Sequence, residues 1–337
     1  MKTDRTTKAL LCSVLLLAGW SATEANAQDA IAQAHVAAAR AAAYEPGQDF
    51  TAIFSLCAEP DPNPPAPAAA APAEPTIPPR SQWYREPQKV FGNVYHVGGA
   101  NNEAIWAVTS SEGIIVINSG YDYTAEELIV NGLTKMGLDP AQIRYVIIAS
   151  ADADEYGGAR LLQDRYNARV LMSEAEWDVL ARSNAPAASK PRRDMVVTDG
   201  QELTLGDVTV SLYVTPGHSP GTVSVLVSPL KDGNQRHVAS AFGGRSAGGV
   251  EYFGSEVESM RAWSASVKRY KAIAESAGAD VFLSPHNSWD KLHDKLEALK
   301  FRQPGDPHPL VNKSAVSRYQ TMISECMDAQ LAWRADE

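Results

Sequence analysis

Two histidines and a run of three carboxylates are the residues of this chain best suited to do chemistry. His218 lies in Thr215-Pro216-Gly217-His218-Ser219-Pro220-Gly221-Thr222, directly after an apolar strand, with prolines and glycines fixing the backbone on both sides of one imidazole. A metal ligand held by a rigid loop needs that kind of support. His286 lies in Ser284-Pro285-His286-Asn287-Ser288, straight after the buried run Asp280-Val281-Phe282-Leu283. A histidine at the C-terminal end of a strand faces the edge where such sheets collect ligands. Either imidazole alone is more often a hydrogen-bonded structural residue than a metal ligand. The third segment carries Asp152, Asp154 and Glu155 within four positions, just before Gly157-Gly158. Converging without a cation, these carboxylates would drive at least one pKa upward by repulsion. They therefore bind a metal, pair with Arg or Lys, or point into water as an acidic helix N-cap.

All three segments follow strands, and the strand pattern sets the fold class. From Trp83 onward, strands are expected over 90–97, 104–109, 113–118, 145–149, 169–172, 195–197, 208–214, 222–227, 237–241 and 281–283. Helical periodicity is expected over 125–136, 158–166, 174–182, 256–276, 291–299 and 314–333. Hairpin-like strands precede β-α alternation, and the order roughly repeats in the second half. That pattern predicts an α/β fold, an αβ/βα sandwich of two mixed sheets with outer helices and loops gathered along one edge.

Before this domain come three other expected segments. Lys2, Arg5 and Lys8 precede an apolar run from Ala9 to Trp20, and small residues end at Ala25-Asn26-Ala27. This is the pattern of a secretory signal peptide over 1–27, cleaved after Ala27, with an apolar run short for a bilayer span. The product is expected in the periplasm or outside the cell. Residues 28–58 form an N-terminal helical segment, and the Pro/Ala-rich tract over 59–80 an extended linker. The main domain then covers 81–311, and a C-terminal helix over 312–337 packs on it.

Removing residues 1–27 takes away three basic and two acidic residues, moving the formal charge from −10 to −11. Such a surface disfavours nucleic acid and anionic lipid as partners and leaves a small-molecule substrate or ligand. Cys57 and Cys326 are the cysteines that survive cleavage. An oxidising compartment favours their pairing as a disulfide, the alternative being two unrelated buried thiols.

The region from about Trp83 to Val311 resembles the metallo-β-lactamase superfamily, in a style similar to the subclass B3 enzymes and related exported hydrolases. The likeness is carried by Asn93-Val94-Tyr95-His96-Val97-Gly98-Gly99, by Glu112-Gly113-Ile114-Ile115-Val116-Ile117-Asn118-Ser119-Gly120, by the Gly157-Gly158 helix start, by the 215–222 loop and by Ser284-Pro285-His286. The family signature His-x-His-x-Asp-His falls here on Ser150, Asp152, Asp154 and Glu155, so Asp154 alone keeps its identity. Asn118 stands where the family has an aspartate, while His218 and His286 match family positions.

The resemblance implies a first metal site at Ser150, Asp152 and His218, weakened because neutral serine is a poor zinc ligand. It implies a second at Asp154, Glu155 and His286, a carboxylate-rich, mononuclear site for one divalent ion such as Zn, Mn or Fe. A metal-activated water would attack an ester or amide-type bond, with Asp154 as the carboxylate that orients it. Ordinary dizinc β-lactam hydrolysis is disfavoured by the loss of all three motif histidines. The competing expectation is a catalytically inactive relative, without metal, kept for binding or as a scaffold. The basic turn Lys190, Arg192 and Arg193 either attracts an anion or is an exposed turn. Residues 243–249 are expected to form a mobile glycine-rich loop at the site edge, with Arg245 available to offset the carboxylates. Tyr252, Phe253 and Trp289 either wall a pocket or simply pack.

Overall fold

The computed structural model describes residues 26–46, 48–61, 77–99, 104–244 and 246–335. The expected signal peptide up to residue 25, most of the Pro/Ala tract and Arg245 lie outside the described residues. A helix over 26–43, α1, buries Ala32, Val36, Ala39 and Ala43, one helical face at spacings of three and four. It runs into a short hairpin, β1 (Tyr44–Glu45) and β2 (Gln48–Asp49).

The domain proper is built on two sheets. The first has seven strands in sequence order: β3 (Gln88–Phe91), β4 (Val94–Gly98), β5 (Ile105–Ser110), β6 (Gly113–Ile117), β7 (Ile143–Ile147), β8 (Arg169–Ser173) and β9 (Met195–Val197). It begins as an antiparallel meander and turns parallel from β6 onward. The second has five: β10 (Gln201–Leu205), β11 (Val208–Val214), β12 (Val223–Asp232), β13 (Gln235–Ala241) and β14 (Val281–Phe282), with only the last pair parallel. The expected single strand over 90–97 is a hairpin, because Gly92 and Asn93 form its turn. There the Gly92 amide donates to the Lys231 carbonyl, and the Asn93 side chain bonds Pro229 and Lys231. Strand β10 was not anticipated.

Alternation along the strands explains the layering. Trp106, Val108, Ile115 and Ile117 face Leu203, Val210, Leu212 and Val225 in a core between the sheets. The intervening Ile105, Ala107, Ile114 and Val116 turn outward. There they pack under the helical stretch over 126–135, α5 (Ala159–Tyr166) and α6 (Glu174–Arg182). The other sheet is covered by α8 (Glu256–Ser276), α10 (Ala315–Trp333) and α1, sharing Phe242, Trp263, Tyr270, Phe282 and Tyr319. This is the expected αβ/βα sandwich. A disulfide joins Cys57 to Cys326 on α10. Among the described residues, no helix is long and apolar enough to cross a membrane.

One buried group of this scaffold sets an acid limit on it. His96 on β4 is fully enclosed, and its Nε2 pairs with the Asn287 side-chain oxygen at 3.0 Å. Burial, reinforced by nearby His293 and opposed by the Asn287 bond, holds its pKa down at about 3. The folded chain therefore binds fewer protons than the unfolded one between pH 6.5 and 3. Its contribution is complete above the unfolded value and is lost as pH falls, at about 1.4 kcal/mol per pH unit. Urea unfolding from pH 8 to pH 4 is expected to show this decline, and His96→Gln to flatten it. An unchanged slope in the variant contradicts the assignment.

Candidate functional site

The ends of β6 and β7 are stitched together at the loop edge. The Asn118 amide donates to the Ile147 carbonyl at 2.8 Å, and its side-chain oxygen accepts from the Ala149 amide at 3.1 Å. Asn118 takes a left-handed φ of 58°, a conformation asparagine tolerates better than most residues. The chain then passes Ser150 and Asp152 into the short helix α4 (Ala153–Tyr156), which presents Asp154 and Glu155 in its first turn.

Opposite, β11 ends at Val214 and the loop over 215–222 closes by a Thr215 N–H to Thr222 carbonyl bond of 2.7 Å. This loop delivers His218 to the carboxylates. Its Nε2 lies 2.9 Å from Asp152 Oδ2, and its Nδ1 lies 3.1 Å from the Ser246 carbonyl. Burial works against charge on this ring, but the Asp152 hydrogen bond and charge, then Glu155 and Ser246, raise its pKa above the ordinary value. A carbonyl and a carboxylate are both acceptors, so the ring satisfies both by donating from both nitrogens. The glycine-rich segment packs directly on this ring. A Cβ on Gly244 would fall 2.4 Å from His218 Cβ, and one on Gly248 only 2.2 Å from the His218 carbonyl oxygen.

Glu155 has the most perturbed carboxyl of the cluster. Burial first, then the charges of Asp154 and Asp152, push it up to about 8, against the pull of His218 and Ser150. Its Oε2 is buried without a hydrogen-bond partner. The repulsion foreseen for the acidic run is thus resolved by keeping one member protonated at neutral pH.

A further carboxylate, not anticipated from the sequence, anchors both loops. Glu176, fully buried in the first turn of α6, accepts from the Ala151 amide at 2.7 Å through Oε2. Its Oε1 accepts from the Gly221 amide at 2.9 Å and from the Ser219 hydroxyl at 2.5 Å. Burial raises its pKa, against those three hydrogen bonds. The available signal was Ser173-x-x-Glu176, the capping-box spacing at a helix start. Here Ser173 does cap the Glu176 amide, while the glutamate side chain turns to the loops instead of the cap.

The other expected residues are distributed differently. His286 is buried with its ring 4.5 Å from that of Trp289, which itself lies against Tyr319. Trp289 is therefore packing, whereas Tyr252 is exposed and near enough to Asp152 and Glu176 for their charges to raise its pKa alongside burial. The basic turn is consumed structurally: Lys190 bonds the Ser183 carbonyl, Arg192 pairs with Asp164, and Arg193 with Glu174 and Asp178.

The donor set can be tested against a metal ion directly. Asp152 and His218 come together, with Glu155 and Asp154 in electrostatic range. Yet among the described residues no group of three or more His, Cys, Asp or Glu side chains is placed to hold a metal. Asp154, Glu155 and His286 are not gathered into the expected mononuclear site, and neutral Ser150 adds no strong ligand to the Asp152–His218 pair. A metal ion does not fit the residues as they stand.

Comparison with known proteins gives one consistent picture. Residues 98–228 match the family model described as the metallo-beta-lactamase superfamily. An N-acyl homoserine lactonase of a Bacillus species is 29% identical over 136 residues, 40% of this chain and 50% of that protein. A second, from Bacillus thuringiensis, is 27% identical over 137 residues, so the chain spans about half the length of the curated relatives it matches. A solved metallo-beta-lactamase of Cronobacter sakazakii, described by its HARLDQ motif, is 27% identical with a TM-score of 0.63, covering 75% of this chain and 97% of that one. A subclass B3 metallo-beta-lactamase of Bradyrhizobium japonicum is 24% identical with a TM-score of 0.60, over 76% and 97% of the two chains, a likeness of fold.

Proposed function

Proceeding from this chain's membership of the metallo-beta-lactamase superfamily, we propose that it is an exported member of that hydrolase family in which an Asp152–His218 ion pair stands in for the metal centre. It binds a small molecule at the loop edge instead of hydrolysing one with zinc. One observation carries this reading: both ring nitrogens of His218 are already committed, to Asp152 and to the Ser246 carbonyl.

A ligating imidazole must offer a lone pair, and a ring that donates from both nitrogens has none. Asp152 is committed to the same bond, so a cation entering here has to break a charge-assisted pair before gaining its first two ligands. The two loops are held in this arrangement by Glu176 and sealed by Gly244 and Gly248. Asp152 keeps nearly half of its side chain exposed, and Tyr252 and Asp154 flank it. That rim selects for neutral or cationic molecules over anions. The Cronobacter relative supports the idea that the superfamily varies this motif, since HARLDQ carries Arg and Gln at the places of Asp152 and Glu155. The basic-apolar-small amino terminus supports export.

The test is a hydrolysis assay on a chromogenic β-lactam and on an N-acyl homoserine lactone, with and without added Zn²⁺. The expected rate equals the uncatalysed background in every condition. Turnover that disappears with a chelator and in Asp152→Ala overturns the proposal and restores a carboxylate-rich metallohydrolase.

A further inference from the structure

A cavity of about 720 Å³ opens beside the loop edge, walled by Ile77, Tyr121, Tyr123, Tyr156 and Pro186. Helix α4 joins the two places, because it carries Ala153 and Tyr156 of this wall together with Asp154 and Glu155 of the carboxylate cluster. Part of the wall is an aromatic row. The rings of Tyr121 and Tyr123 stack with centroids 5.2 Å and planes 12° apart, and Trp83 meets Tyr123 edge-on at 6.0 Å. The Trp83 indole also fixes the Ile77–Pro78 wall, donating from Nε1 to the Pro78 carbonyl at 3.0 Å.

Charge decides what such a space takes. Among the described residues that line it, Asp122 alone is charged. Asp122 is exposed, its Oδ1 accepts from the Tyr123 amide at 2.7 Å, and no Lys or Arg of the described residues pairs with it. The guanidinium groups of the adjoining cavity are engaged elsewhere. Arg160 pairs with Asp164, which it shares with Arg192, and Arg165 pairs with Glu126. Asp152 adds its charge from the loop edge: behind burial, Asp122 and Asp152 both raise the pKa of the buried Tyr156 hydroxyl. Aromatic faces carry the negative side of the ring quadrupole and attract cations, most strongly where water is excluded. An anion would meet Asp122 and those faces with repulsion, and a neutral apolar molecule would leave Asp122 unused.

We propose that this cavity binds an organic cation, its apolar body against the tyrosine row and its ammonium group beside Asp122. The proposal deepens the loop-edge reading and rests on it, naming the class of small molecule taken there. The volume falls in the roughly 300–1,000 Å³ range of ligand pockets. A quaternary ammonium suits the site better than a primary one, because it has no N–H to leave unsatisfied against an apolar wall.

Ligand-observed NMR titrations on the full chain test this with three probes that share one ring: benzyltrimethylammonium, benzyl alcohol and phenylacetate. Benzyltrimethylammonium is expected to bind about tenfold more tightly than either of the others. Asp122→Asn keeps the oxygen that accepts from the Tyr123 amide and removes the charge. It should weaken the cation about fivefold and leave benzyl alcohol unchanged. Tyr121→Leu keeps an apolar wall without the ring and should weaken the cation about threefold. Circular dichroism melts of both variants show whether the fold is retained. A cation affinity no better than that of benzyl alcohol or phenylacetate, or one unchanged in well-folded Asp122→Asn or Tyr121→Leu, overturns the proposal. These affinities are read without turnover, so that failure is distinct from zinc-dependent hydrolysis, which would sink the metal-free reading instead.

Discussion

Exchanging Cys57 and Cys326 for serine is expected to lower the unfolding free energy by about 4–5 kcal/mol. The bond closes a sequence separation of 269 residues, and the chain-entropy cost of that loop in the unfolded state is about 5.6 kcal/mol at 25 °C, of which residual structure in the unfolded chain removes a part. Both sulfurs are buried, so serine also places hydroxyls in an apolar layer among Ala39, Phe50 and Tyr319. The loss has a location. Residues 26–58 should become the first part to open, freeing the helical backbone at the already exposed Arg40 for cleavage by trypsin while α8 and the sheets remain protected. Guanidinium unfolding and timed proteolysis measure the two consequences. A variant that unfolds at the wild-type midpoint, or keeps Arg40 protected, would show that packing alone retains the arm.

Glu176→Ala is expected to cost about 3–5 kcal/mol, a large effect for one side chain away from the central apolar core. The substitution removes the shared acceptor of the buried Gly221 amide, the part-buried Ala151 amide and the Ser219 hydroxyl, of which Ser219 alone keeps another partner, Thr222, and each unreplaced acceptor costs roughly 1–3 kcal/mol. Glu176→Gln keeps the volume and one acceptor oxygen. Its amide nitrogen, however, faces a donor, so an intermediate loss of about 1–2 kcal/mol is expected. Because Glu176 ties the Ser150–Glu155 segment to the 215–222 loop, both variants should also loosen the contact between Asp152 and His218. Equilibrium urea unfolding and hydrogen exchange at Ala151 and Gly221 check the two statements. Glu176→Ala with wild-type stability would contradict the clamp.

How much of this was legible in the sequence depended on how local the signal was. Helices α6 and α8 begin and end where their periodicity does, because Ser173 and Ser255 cap them with side-chain bonds to Glu176 and Glu258. Strand β11 alternates cleanly, Val208, Val210 and Leu212 inward. The β3–β4 hairpin was missed because Gly92-Asn93 is a turn flanked on both sides by apolar residues, so the run looked continuous. Strand β10 offers only Leu203 and Leu205 as buried positions in a polar neighbourhood.

At the site, the loops bearing Asp152, Asp154, Glu155, His218 and His286 were legible by type and by family likeness. What spacing does not encode is the direction of each side chain. His218 turned to Asp152, whereas His286 settled against Trp289. Nor does spacing give the partners of a buried acid. Glu176 looked like a helix-start glutamate and serves as the clamp between two loops. The repulsion among the carboxylates was foreseeable; that it would settle on Glu155 followed only from burial.

In the function proposed above, the Asp152–His218 pair occupies the loop edge where other members of the superfamily hold metal. The most direct measurement is metal content by mass spectrometry on untagged protein purified without chelator, followed by calorimetric titration with Zn²⁺ and Mn²⁺. Far less than one ion per chain and no saturable binding at micromolar metal are expected. About one tightly held ion per chain, lost in both Asp152→Ala and His218→Ala, would contradict the proposed function.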